Sequence, residues 1–216
     1  MIKSKHLILV LVPAIIIVGL TLFVRILQYE PLFPDAADVE EIQKKISEQI
    51  IPIYSDDPIL GNKKGITNII IFEDFGCEAC REQSSILKQL LNKHSEKIRI
   101  VWKGLPVTKF PYSSELAHSY SYCANEQGKF IEFKDYAFAN LDNLTPEILT
   151  GIAKKIEIDQ NKLQTCLDKK DWQLYFNKNT SLAKLLGIQE VPTTFINNLQ
   201  IKNPQSAEEW ESILNL

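Results

Sequence analysis

The chain has 216 residues, 45% of them hydrophobic, enough for one substantial core. With 27 acidic against 24 basic residues the formal net charge is -3, and no block of Lys and Arg interleaves with aromatics. That balance argues against a nucleic-acid partner, and four cysteines are too few for a small disulfide scaffold.

Lys3, Lys5 and His6 precede a charge-free, largely apolar run from Leu7 to Val24, which Arg25 closes. As a helix this run rises about 27 Å, close to the roughly 30 Å of a bilayer's hydrocarbon core. The run is longer than a signal-peptide core, and neither a small-x-small cleavage site nor a lipid-acceptor cysteine follows it. Residues 1–28 therefore read as an uncleaved membrane anchor crossing through residues 7–24, rather than as a cleaved signal peptide. Lys3 and Lys5 favour an inside N-terminus and an exported body.

Residues 29–56 read as a juxtamembrane linker and stalk helix. Pro31 and Pro34 stiffen the linker, Val39, Ile42, Ile46 and Ile50 recur at helical spacing, and Pro52 ends the pattern. Asp57 to Asn62 is turn-rich, and a strand follows from about Ile66 to Phe72. Gly76-Cys77-Glu78-Ala79-Cys80 then opens a helix whose apolar face (Ile86, Leu87, Leu90, Leu91) runs to about Lys93. The next strand is Ile98 to Trp102, completing a βαβ unit.

From Ser113 to Leu186 the periodicity is helical throughout. Thr145 caps one helix with Pro146 at its first position, Asp159 caps another, and Gly187 stops the last. Strands return at Val191 to Ile196 and Leu199 to Lys202 around the turn Asn197-Asn198, and a short helix from Ser206 closes the chain.

Two cysteines three positions apart at a helix start can face each other one turn apart. Reduced, Cys77 lies where unpaired N–H groups and the helix dipole stabilise a thiolate, which is both nucleophile and leaving group in disulfide exchange. A zinc knuckle is the competing chemistry, but it needs a second close pair, and Cys123 and Cys166 stand 43 apart with no histidine at ligand spacing. No metal and no cofactor is expected. An inert structural bridge is the other alternative. Cys123 and Cys166 both fall on apolar helical faces, as two buried thiols would. His94 and His118 stand alone, suited to surface or packing roles.

Taken together, Asp57-Pro58-Ile59-Leu60-Gly61-Asn62, Phe72 to Cys80, Cys123-Ala124-Asn125-Glu126-Gln127-Gly128-Lys129-Phe130, Cys166-Leu167 and Gly187 to Asn197 resemble the DsbA-like branch of the thioredoxin superfamily. The resemblance covers roughly 57–214. It implies an α/β fold, a thioredoxin-like domain over 57–216 with a helical insertion at about 112–186, here preceded by one transmembrane helix. It implies Cys77 and Cys80 as the catalytic pair. It also implies a cis peptide before Pro192, which with Val191 would bind and position an extended substrate. With an exported location it favours a structural disulfide between Cys123 and Cys166.

The function so implied is a membrane-anchored thiol–disulfide oxidoreductase on the extracytoplasmic (periplasmic) side. It would oxidise exported cysteine-containing proteins and be reoxidised by a separate membrane redox partner. A reductase or isomerase of the same fold, and a peptide-binding or chaperone module, are the alternatives. The sequence departs from the family in two ways. Glu78 beside Cys77 is expected to raise its pKa and weaken it as an oxidant. Ile71 occupies the place of the buried acid some relatives carry six residues before the first cysteine, leaving Glu73 or Asp74 to relay protons.

Overall fold

The computed structural model describes residues 4–29, 50–110 and 112–216; within the first helix, side chains are described for 11–24. The chain divides into two compact units, residues 1–45 and 46–216.

The first unit contains helix α1 (Ser4–Tyr29). Leu11, Ile15, Ile17, Leu22 and Phe23 are all exposed on it. Among the described residues no helix is long and apolar enough to cross a membrane. The expected span also takes in residues 7–10, whose side chains lie outside those described. The predicted stalk helix over Val39 to Ile46 lies outside the described residues as well.

The second unit is built on a five-stranded sheet: β1 (Ile59–Gly61), β2 (Thr67–Glu73), β3 (Ile98–Gly104), β4 (Thr193–Ile196) and β5 (Leu199–Ile201). Their order is β1-β3-β2-β4-β5, with only β2 and β3 parallel. The central run Ile69-Ile70-Ile71-Phe72 is buried throughout, as a strand covered on both faces must be. Alternation sends Ile69 and Ile71, with Ile98, Ile100 and Trp102, to one core and Ile70, Phe72, Val101 and Phe195 to the other. Asn197 and Asn198 both have positive φ, which suits the two-residue β4–β5 hairpin.

Helix α2 (Glu78–His94) makes the crossover between β2 and β3, with Glu78 in its first turn and Lys93 and His94 in its last, each sign matching the helix dipole. The inserted block comprises α3 (Glu115–Glu126), α4 (Phe130–Ala139), α5 (Pro146–Lys155), α6 (Gln160–Lys169) and α7 (Asp171–Leu185). The expected caps are in place: Thr145 Oγ1 accepts from Ile148 N at 3.4 Å, and Asp159 Oδ1 from Asn161 N at 2.9 Å. Gly187 adopts φ +68° just beyond α7. Ser206 caps the closing helix α8 (Ala207–Leu214) by accepting from Glu209 N at 3.2 Å.

Two sequence expectations shift. The Asp57–Asn62 stretch contains a strand rather than only turns, because Ile59 to Gly61 pairs with the edge of β3. The compact unit also starts before residue 57: Ile51 is buried in the second core and its N–H donates to Asn198 Oδ1 at 3.0 Å.

Candidate active site

β2 delivers the chain to the turn Asp74-Phe75-Gly76, and Cys77 follows as the N-cap of α2. Asp74 organises this turn. Its buried carboxylate accepts from the N–H groups of Gly76 (3.2 Å), Val107 (3.0 Å) and Thr108 (2.6 Å), and from His118 Nε2–H at 3.0 Å. The loop after β3 is thereby tied to the start of α2. Gly76 permits the approach: a Cβ there would lie 2.6 Å from the Thr108 side chain. Phe75 anchors the turn in the core against Trp102, His118 and Phe138, at ring-centroid distances of 4.9–5.4 Å.

Cys77 is half-buried and Cys80 fully buried, and both sulfurs are free. Cys77 Sγ accepts from Cys80 N at 3.2 Å, so this sulfur itself caps the helix. The Cys80 thiol, donating to Cys77, pulls the Cys77 pKa down; burial and the charges of Asp74 and Glu73 oppose this, and the Cys80 N–H assists it. Cys80 is driven far above the ordinary thiol range, first by burial, then by its bond to Cys77 and the Glu73 charge. The pair is thus split into one thiolate-forming and one proton-holding sulfur.

The expected effect of Glu78 is not what the structure gives. Its carboxylate is turned outward to an exposed ion pair with Arg81, and the acids that oppose the Cys77 thiolate are Asp74 and Glu73. Those two also differ from each other. Burial pushes the Asp74 carboxyl up, but the bonds and charge from His118, with those from Ser114 and Thr108, prevail and hold it well below the usual carboxylate range. Glu73 is raised, burial outweighing the Lys134 charge and the bond from Trp102. Its Oε2 accepts from Trp102 Nε1 at 2.8 Å and lies 3.6 Å from Lys134 Nζ, which also bonds Ser84. Its Oε1 has no partner among the described residues, and Glu73 lines a cavity of about 390 Å³ between the sheet, α2 and α4.

Opposite Cys77, the Val191–Pro192 bond is cis. The Cys77 thiol donates to the Val191 carbonyl at 3.4 Å, so residues 114 apart in sequence meet at this sulfur. Asn203 holds this turn, donating to Pro192 O and accepting from Thr194 Oγ1, each at 2.6 Å. Cys123 in α3 and Cys166 in α6 are joined by a disulfide with Cα atoms 5.8 Å apart. Among the described residues no group of three or more His, Cys, Asp or Glu could hold a metal ion.

Sequence reasoning missed two buried polar assemblies. His118 is a buried partner of Asp74, stacked on Trp102 at 5.6 Å; its helical position gave no hint of a carboxylate 44 residues upstream. Lys103 and Asp57 form a fully buried ion pair at 2.6 Å, to which Tyr175 adds an O–H donor at 2.9 Å. A lysine ending a strand that pairs on both sides was the available signal.

A sheet centred on one parallel pair and carrying a helical insertion, with a CxxC helix start facing a cis-proline turn, is a thioredoxin-like fold. The chain belongs to the thioredoxin family, whose sequence model matches residues 54–215. It is 25% identical over 164 residues to the Na(+)/H(+) antiporter NhaA 3 of Salinispora tropica, a match covering 76% of this chain and 25% of the antiporter. The chain thus spans about a quarter of the length of that relative. It is 24% identical over 161 residues to disulfide bond formation protein D of Bacillus subtilis, covering 70% of this chain and 72% of the relative. In fold it is similar to the thiol-disulfide exchange protein alpha-DsbA2 of Wolbachia pipientis, with a TM-score of 0.69 at 20% identity over 84% of this chain and 98% of that one.

Proposed function

We propose that the chain is a protein thiol–disulfide oxidoreductase working through Cys77 and Cys80. The observation that carries this reading is the Cys77 sulfur itself: half-exposed, capping α2, and facing the Val191 carbonyl. In the oxidised protein a client thiolate attacks Cys77 Sγ. The Cys77–Cys80 bond breaks, a client–Cys77 bond forms, and Cys80 leaves and takes up a proton, as its raised pKa favours. A second client thiolate attacks the client sulfur of this mixed disulfide, expelling Cys77 as the stabilised thiolate. Two electrons have then passed from client to protein. In the reverse direction Cys80 is the resolving thiol.

Val191 and Pro192 would position the client by backbone pairing, which supplies orientation rather than electronics. Of the two acids offered by sequence, Glu73 suits proton transfer at Cys80. Its pKa is raised and one oxygen is uncommitted, whereas Asp74 is occupied by four donors. The Cys123–Cys166 bridge serves as a clamp between α3 and α6.

The depressed Cys77 pKa supports the oxidising direction, because a stabilised thiolate favours the reduced protein and hence donation of its disulfide. Exported cysteine-containing proteins are then the clients, with the domain held at the extracytoplasmic face by residues 7–24. The exposed apolar side chains of α1 support the anchor. Reoxidation needs an external disulfide oxidant, here a separate membrane partner. A reductase or isomerase is the second reading, favoured by the opposing charges of Asp74 and Glu73.

The test is a Cys77→Ser variant of the full chain. Loss of exchange with client thiols supports the reading. Retained exchange refutes it, and lost exchange with unaltered suppression of client aggregation points to an additional chaperone activity.

A further inference from the structure

A small slot of about 220 Å³ lies between the first turns of α2 and the cis-proline turn, and one of its lining residues is Val191, whose carbonyl accepts from Cys77. The lining is mixed: Ala79 and Ile86 from α2 and Val191 and Pro192 from the turn are apolar, while Gln83, Asn203 and Gln205 contribute amides. Two carboxylates, Glu82 and Glu190, line it from opposite elements, and both residues are exposed. No lysine or arginine is among its described lining residues. Arg81 is engaged by Glu78, outside the slot.

The slot is also held in shape. Asn203, which lines it, fixes the Pro192 carbonyl. Gln205 lies at its edge with its N–H held by Glu209 Oε2 at 2.7 Å. Along an extended client chain, the residue two positions from the cysteine projects to the same side as the cysteine. A client sulfur on Cys77 therefore brings such a neighbour toward this slot.

Four apolar residues, two carboxylates and no cation in one lining suit a long aliphatic stem that carries a cation. We propose that Glu82 and Glu190 make this slot a specificity subsite that selects clients with a lysine or arginine two residues from the reactive cysteine. The inference rests on the oxidoreductase reading and names its client class. An acidic neighbour would meet two like charges and an alanine would leave the walls unfilled. The selection acts in the encounter and in the mixed disulfide, and weakens with salt.

The experiment oxidises dithiol peptides with the disulfide form of the full chain in a non-ionic detergent. The peptides differ only at the residue two positions before, or two positions after, the attacking cysteine: Lys, Ala or Glu. For at least one of the two placements the second-order rate constants fall in the order Lys, Ala, Glu. Lys exceeds Glu by about tenfold at low ionic strength, and high salt narrows the gap. In Glu82→Gln/Glu190→Gln the Lys-to-Glu ratio collapses toward one, and in Glu82→Lys/Glu190→Lys it inverts. Equal rates for the three peptides at both placements, or a lysine preference that survives the double glutamine substitution, overturn this inference alone. Failure to oxidise any peptide overturns the exchange reading and the inference with it.

Discussion

Replacing Cys123 and Cys166 together by alanine removes the link between α3 and α6. The bridge closes a loop with a sequence separation of 43. In the chain-entropy relation a loop of that length restricts the unfolded chain by about 4 kcal/mol at 25 °C. Both sulfurs are buried, so lost packing adds to that figure. For a unit of this size about 4 kcal/mol corresponds to a fall in Tm of about 8–16 °C. Urea denaturation of both proteins, each with Cys77 and Cys80 oxidised, reads the difference directly. The variant's slope against urea should also steepen, because its unfolded state is no longer cross-linked and exposes more surface. A loss below about 1 kcal/mol with an unchanged slope would show that the bridge does not restrict the unfolded chain, the two sulfurs contributing no more than ordinary buried thiols.

Three further outcomes follow from the site and its supports. In the reduced protein, alkylation of Cys77 by iodoacetamide should rise with pH through a midpoint below the ordinary thiol value of about 8.5, with Cys80 unmodified. Because the folded value lies below the unfolded one, Cys77's contribution to the stability of the reduced form is complete above about pH 8.5. It is lost as pH falls through the folded pKa. A midpoint at or above 8.5, or faster labelling of Cys80, contradicts the assignment of roles. Glu73→Gln removes a charge that opposes the thiolate, so that midpoint should move down. If Glu73 handles the Cys80 proton, resolution of a mixed disulfide should slow by about a hundredfold or more; an unchanged resolution rate excludes Glu73 from that step. Lys103→Met leaves Asp57 buried without its cation, and equilibrium unfolding should show a loss of about 3–5 kcal/mol. A loss under about 1 kcal/mol would mean that Tyr175 and the Tyr54 N–H suffice to hold the carboxylate.

Much of this architecture was legible because local chemistry specified it. Thr145-Pro146, Asp159, Gly187 and Ser206 are start and stop signals whose partners lie within a turn, and the described helices begin or end at them. The apolar run Ile69 to Phe72 has one comfortable place, a strand covered on both faces. The short strand Ile59–Gly61 was not legible, because only its antiparallel partner in β3 makes those three residues a strand. The electrostatics of the site were legible only in part. Sequence adjacency put Glu78 next to Cys77, but side-chain direction took it to Arg81, while Asp74 and Glu73 act from beneath the turn. Asp74–His118 and Asp57–Lys103 escaped for the same reason: a polar group's partner across a fold carries no sequence-local signature.

In the proposed function Cys77 and Cys80 form an exchanging pair whose reduced state is favoured by a stabilised Cys77 thiolate. The most direct test is the reduction potential of that pair in the full chain, read by equilibration against glutathione. The split between the two thiols predicts equilibration at a value on the oxidising side, toward about -120 mV. A value near about -270 mV would contradict the oxidising direction and turn the protein into a reductase. A pair that does not equilibrate with glutathione at all would contradict the exchange chemistry itself.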